Sequence, residues 1–143
     1  MTHDLLLSAE VAVGLVVLVV LLTIGYFLVR RRIIGRGNPL MLVYLKSSTR
    51  ARTGFLAVAP DEVQWFPFLS LRLRPRYRWR RGDVTLGAPE PVTGQRFNTL
   101  AEPMAVDCTV GLATYRLVLT ASDYTALRSW SESAPPGLNA NVA

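Results

Sequence analysis

Nineteen consecutive residues, Val11 to Val29 (VAVGLVVLVVLLTIGYFLV), carry no charge. This run limits what the chain can become more than any other feature. As a helix rising about 1.5 Å per residue it spans roughly 28 Å, close to the ~30 Å hydrocarbon core of a bilayer. A buried helix in a small soluble domain shows a polar face, and this one has none. Residues 11–29 therefore read as a transmembrane helix. The front end, MTHDLLLSAE, holds Asp4 and Glu10 but no Lys or Arg, and no cleavage motif follows, so a removable signal peptide is not expected. Arg30, Arg31 and Arg32 flank the apolar run directly, with Arg36 close behind. The positive-inside rule assigns this basic juxtamembrane hinge, residues 30–39, to the cytoplasm and residues 1–10 to the outside as a short extracytoplasmic N-terminus.

The charge is uneven along the chain. Residues 1–81 hold thirteen Arg or Lys against four Asp or Glu, and residues 82–143 hold three against six, which gives the net +6. The basic half is thus the half next to the expected membrane. Cys108 is the one cysteine, so no internal disulfide can form, in keeping with a reducing compartment.

Beyond the hinge (Ile33 to Pro39, with two glycines and a proline) short β-rich runs alternate with turn residues. Leu40 to Leu45 suits a buried strand and Gly54 to Ala59 a second, closed by Pro60 and Asp61. Glu62 to Phe68 is a third, forming a tight hairpin with it. The next stretch, SLRLRPRYRWRR (Ser70 to Arg81), reads as a strand ending at Gly82-Asp83. Val84 to Leu86 continues beyond that turn, and Ala88 to Leu100 reads as loop. Met104 to Val110 and Thr114 to Leu119 form a last hairpin around Gly111. The period then changes: Tyr124, Leu127 and Trp130 lie three apart within Ser122 to Ser133, one stripe of a helix. Thr120 with Asp123 has capping-box spacing, and Ala134-Pro135-Pro136-Gly137 ends the helix. About seven strands followed by one amphipathic helix predicts a mainly-β cytoplasmic domain over 40–133, a pleckstrin-homology-like barrel or small sandwich plugged by the helix. Residues 134–143 read as a flexible tail.

The anchor with its RRR flank, the stretch GFLAVAPDEVQWFPFLSLRLRPRYRWRRGDV and the stretch SWSESAPPG together resemble an actinobacterial membrane-protein family known as domain of unknown function 2550. The resemblance covers nearly the whole chain. It implies a bacterial plasma-membrane protein and carries no activity, cofactor or catalytic residue.

Nothing in the chain has the residues of a familiar catalytic site. His3, the sole histidine, precedes the apolar run, so a cytoplasmic Ser-His-Asp or Cys-His arrangement is not expected. Cys108 alternates with Asp107 and Thr109 and reads as a small buried hydrophobe. No glycine-rich phosphate loop occurs; Gly35-Arg36-Gly37 belongs to the hinge. Asp61 and Glu62 sit in a turn, and Asp83, downstream of six arginines, is expected in a structural ion pair. No cofactor, metal or catalytic residue is assigned. Trp65, Trp79 and Trp130 each have a core reading, although Trp65, Phe66 and Phe68 cannot all point inward on a two-residue period.

The arginine stretch remains. Arg72, Arg74, Arg76, Arg78 and Arg80 alternate with Leu71, Leu73, Pro75, Tyr77 and Trp79, with Arg81 following. Pro75 lacks a backbone donor, which suits an edge strand, and charge on an edge discourages pairing with other chains. One reading is a solvated edge without a ligand. Another is a face for anionic phospholipid headgroups, since a basic group near an acidic leaflet gains about 1 kcal/mol and the Arg fork matches phosphate. A third is an acidic surface of another membrane protein. Nucleic acid fits poorly, because Tyr77 and Trp79 face away from the arginines and cannot stack bases beside them.

Overall fold

The structure, a computed structural model, describes residues 2–48 and 50–133. The expected tail, residues 134–143, lies outside the described residues. The chain divides into two compact units, Met1–Arg36 and Gly37–Ala143.

The first unit is one helix, α1 (Thr2–Gly35, 34 residues), about 51 Å long at 1.5 Å per residue. It runs past the uncharged nineteen at both ends, so residues before Val11 and most of the expected hinge are helical. Leu, Ala, Glu and Arg in those flanks are all good helix formers. Asp4 in the first turn and Arg32 in the last suit the helix dipole. Leu6–Gly35 is long and apolar enough to cross a membrane, and nothing in its most apolar stretch is buried. The helix stops where Gly37 takes a φ of 83°, a left-handed conformation that glycine adopts without strain. The link to the next element shrinks to residues 36–39.

The second unit contains β1 (Leu40–Ser47), β2 (Arg50–Val58), β3 (Glu62–Pro67), β4 (Tyr77–Arg80), β5 (Val84–Leu86), β6 (Glu90–Pro91), β7 (Pro103–Val110), β8 (Ala113–Thr120) and α2 (Ala121–Glu132). All pairings are antiparallel, in the order β4-β3-β2-β1-β8-β7-β5, with β6 also on β7. Two meanders thus join through β1 and β8 into a nearly closed, pleckstrin-homology-like barrel. Alternate residues fill it: Met41, Val43 and Leu45 from β1, Leu56 and Val58 from β2, Trp65 from β3, Leu117 and Leu119 from β8. Tyr77 and Trp79 of β4 meet Tyr115 of β8 at 5.4 and 5.1 Å, so aromatic rings bridge the interior near the open edge.

The C-terminal helix seats as expected. Thr120 Oγ1 accepts the Asp123 N–H at 3.1 Å, satisfying one of the orphan donors of the first turn. Tyr124, Leu127 and Trp130 are the buried stripe. Trp130 Nε1 donates to the Ala59 carbonyl at 2.8 Å, which ties α2 to the end of β2.

The segment expected as loop over 88–100 holds β6 and a single 3-10 turn and covers the outer face of the sheet. Leu100, Ala105 and Val118 form a second small core there with Leu42, Tyr44, Val92 and Phe97. Tyr44 fixes it, edge-on to Phe97 at 5.2 Å and hydrogen-bonded to Thr99 Oγ1 at 2.9 Å.

Candidate functional site

The arginine stretch is not one strand. Only Tyr77–Arg80 joins the sheet, as β4, and it pairs with β3 alone, so it is an edge. From Phe68 the chain leaves the sheet through a turn, with Ser70 N donating to the Pro67 carbonyl at 3.3 Å. Ser70 Oγ then accepts the Arg72 N–H at 3.2 Å. Such a local side-chain bond competes with a ladder, and Pro75 both lacks a donor and restricts Arg74 before it. Pairing resumes at the Arg76 N–H, which donates to the Trp65 carbonyl at 2.9 Å.

The expected apolar side therefore splits. Tyr77 and Trp79 point into the barrel, but Leu69, Leu71 and Leu73 stand out in solvent at 81, 70 and 49% exposure, with Phe68 at 45%. Of the WFPF aromatics Trp65 is core, Phe66 is buried, and Phe68 leans on Phe55 at 5.5 Å. The period of two held for the sequence of this stretch but not for its backbone.

The arginines split as well. Arg72 and Arg74 lie on the loop, exposed. Arg76 sits over the Tyr77 ring at 5.9 Å. Arg78 and Arg80 point outward from β4, opposite Gln64 and Glu62 in the register. A carboxylate directly across the ladder favours Arg80 where it is, and the Glu62 carboxylate also accepts from Gln64. Arg81 belongs to the other end of the barrel: it donates to the Ser133 carbonyl at 3.1 Å and to the Pro60 carbonyl, and lies over the Trp130 ring at 5.1 Å. It pins α2 instead of extending the arginine face. Arg30, Arg31 and Arg32 occupy the last two turns of α1, and Arg36 follows its end. Asp83 departs from expectation. It is exposed in a 3-10 turn and joins none of the ion pairs among the described residues, which Arg116 makes with Glu90 and Asp107 and Arg128 with Glu132.

Beside the loop lies a cleft of about 850 Å³ whose lining includes Leu42, Tyr44, Arg52, Phe68, Leu69 and Arg76. Apolar floor and basic rim come together there, a combination suited to an amphiphilic surface. Arg52 had no place in the sequence reading of this site. Its signal was the alternation of Arg50 and Arg52 ahead of Gly54, which continues β2 outward from the core. Cys108 is buried, and burial pushes its thiol up to about 12, so the thiolate that nucleophilic chemistry requires is scarce at neutral pH. Among the described residues no three His, Cys, Asp or Glu side chains gather where they could hold a metal ion.

A family model described as "Protein of unknown function (DUF2550)" matches residues 15–137. Similar solved structures include a crystal structure of the C-terminal domain of an unknown protein from Leishmania infantum, 12% identical over 68% of this chain and 87% of that one, with a TM-score of 0.45. The PH domain from TgAPH is 18% identical over 74% of this chain and 83% of that one, with a TM-score of 0.39. No curated protein matches the chain.

Proposed function

The chain belongs to the DUF2550 family of proteins of unknown function, a membership that brings no activity, and from its own residues we propose that it is a single-pass plasma-membrane protein whose cytoplasmic barrel docks on anionic lipid headgroups. One observation carries this reading: on the loop from Phe68 to Arg76, exposed Leu69, Leu71 and Leu73 interleave with Arg72, Arg74 and Arg76. Apolar side chains that sink into the acyl boundary and arginines that meet phosphates are the two halves of interfacial binding. The outward Arg78 and Arg80 of β4 extend the basic half. An acidic surface of a second membrane protein is the rival occupant, but it offers the leucines nothing apolar. On this reading the domain binds or scaffolds; the chain's one histidine is on α1 and its one cysteine is buried.

The orientation follows from Arg30, Arg31, Arg32 and Arg36 after the apolar run, with the acidic residues before it. In a Cys108→Ala background, a cysteine at His3 reacts with an impermeant thiol reagent in intact cells. One at Leu112, fully exposed on the β7–β8 turn, reacts only after lysis. The opposite pattern would put the barrel outside.

Charge dependence tests the lipid itself. An environment-sensitive dye on Leu73→Cys of the full chain, reconstituted in vesicles, reports the docked fraction. Docking rises when phosphatidylglycerol is added to phosphatidylcholine. It fades as salt shortens the screening length to about 10 Å at 0.1 M. Arg74→Gln with Arg78→Gln weakens it by about 2 kcal/mol, at about one per arginine, with the fold intact because both side chains are exposed. Docking that ignores lipid charge while the variant loses a co-purifying protein would favour the rival partner.

A further inference from the structure

We infer that a small cavity at the β1–β2 end of the barrel binds one phosphate-type oxyanion. The cavity holds about 130 Å³, and its lining includes Ser47, Arg50, Arg52, Trp65, Arg76 and Tyr77, with no carboxylate. Arg50 stands opposite Ser47 and Arg52 opposite Leu45 in the β1–β2 register. Directly opposed residues share a face, so by register these arginines follow the row of Leu56 and Val58 out to the barrel mouth, where Arg52 is half-buried and Arg50 exposed. The protein supplies these cations with no counter-charge: Arg50, Arg52 and Arg76 join no ion pair among the described residues.

Trp65 points to a ligand independently. Its side chain is wholly buried, yet its Nε1–H has no partner, which is rare for a buried donor. The indole reaches the cavity wall because residue 54 is glycine. A Cβ there would lie 2.8 Å from Trp65 Cε2, the atom bonded to Nε1, and closer still to the Phe66 carbonyl oxygen. Arg76 is fixed beside it by its backbone bond to Trp65 and its position over Tyr77. Three guanidinium groups and one indole N–H are donors only. They suit a group that accepts from several directions, and Arg pairs with phosphate through two parallel bonds. At ~30 Å³ per water the cavity has room for about four waters, the scale of a single phosphate group.

The inference rests on the lipid reading and assigns one phosphate a defined seat; it shares Arg76 with that reading and adds Arg50, Arg52 and Trp65. The test uses the full chain with ¹⁵N-labelled tryptophan in maltoside micelles, which contain no phosphate. The Trp65 indole signal, identified through Trp65→Phe, is followed against inorganic phosphate in one arm and phosphatidylglycerol doped into the micelle in the other. The Trp130 indole signal reports that the fold is unchanged. A saturable shift is expected in at least one arm, weakened at least tenfold by Arg52→Gln with Arg76→Gln. A response to inorganic phosphate marks a site open to free phosphates, and a response to the lipid alone marks a headgroup site. No saturable shift of the wild-type signal in either arm would overturn the inference and leave the cavity to water. So would an unchanged affinity in the double variant. A loop that stays in water over an anionic bilayer would sink the surface reading and leave this one standing.

Discussion

Replacing Trp130 with alanine is expected to destabilise the barrel by about 3–5 kcal/mol, the range for removing a large core aromatic. The indole is 9% exposed and closes the end of the barrel at which β2 hands over to β3. Three separate losses coincide there. The cavity left behind cannot refill, because Leu127 and Tyr124 are fixed on the same helix, within one and two turns of it. The Ala59 carbonyl loses its indole donor. Arg81 loses the ring beneath its guanidinium while its Nε, already buried without a partner, stays in place. Denaturant unfolding of the full chain in micelles, followed by the emission of Trp65 and Trp79, measures the cost. A loss under about 1 kcal/mol would mean that α2 is an appendage and that the strands close the core without it.

Much of the domain was legible because its periods are clean. Tyr124, Leu127 and Trp130 at helical spacing, with Thr120 capping, specified α2 and its buried stripe. The unbroken apolar run Leu40 to Leu45 specified β1. The extent of the β1–β2 hairpin was not legible. Lys46, Arg50 and Arg52 look like solvated turn residues, and only the register shows Arg50 and Arg52 on the inward side. The packing of the segment expected as loop over 88–100 escaped for a related reason: Val92, Phe97 and Leu100 are too sparse for any period, and they pack on a face of the sheet that a one-core picture leaves to water.

The arginine stretch shows the limit most directly. Ten residues, Leu71 to Arg80, alternated without fault, yet Pro75 and the Ser70 hydroxyl diverted the backbone, and four residues remained as strand. What looked like a core-facing side became Leu69, Leu71 and Leu73 in solvent. Alternation records which residues differ in polarity, and the backbone decides whether they face apart. The correction changes the chemistry proposed for the stretch, because a bare arginine ladder suits an anion alone, whereas leucines between arginines also suit an apolar phase beside it.

That difference makes depth the decisive quantity. Each leucine that leaves water for the acyl boundary gains in proportion to its buried area, at about 25 cal/mol per Å², and about 1 kcal/mol per arginine adds to it near an acidic leaflet. On the proposed reading, these terms together would shift an anchored domain toward the docked state. The measurement is the immersion depth of a nitroxide on Leu71→Cys, in a Cys108→Ala background, with the full chain in nanodiscs and accessibility read by oxygen against a water-soluble relaxing agent. With phosphatidylglycerol present the label is expected below the phosphate level, inaccessible to the aqueous agent, and in phosphatidylcholine alone it returns to water. A label that stays in water over both lipids would contradict the docking of this loop on the membrane.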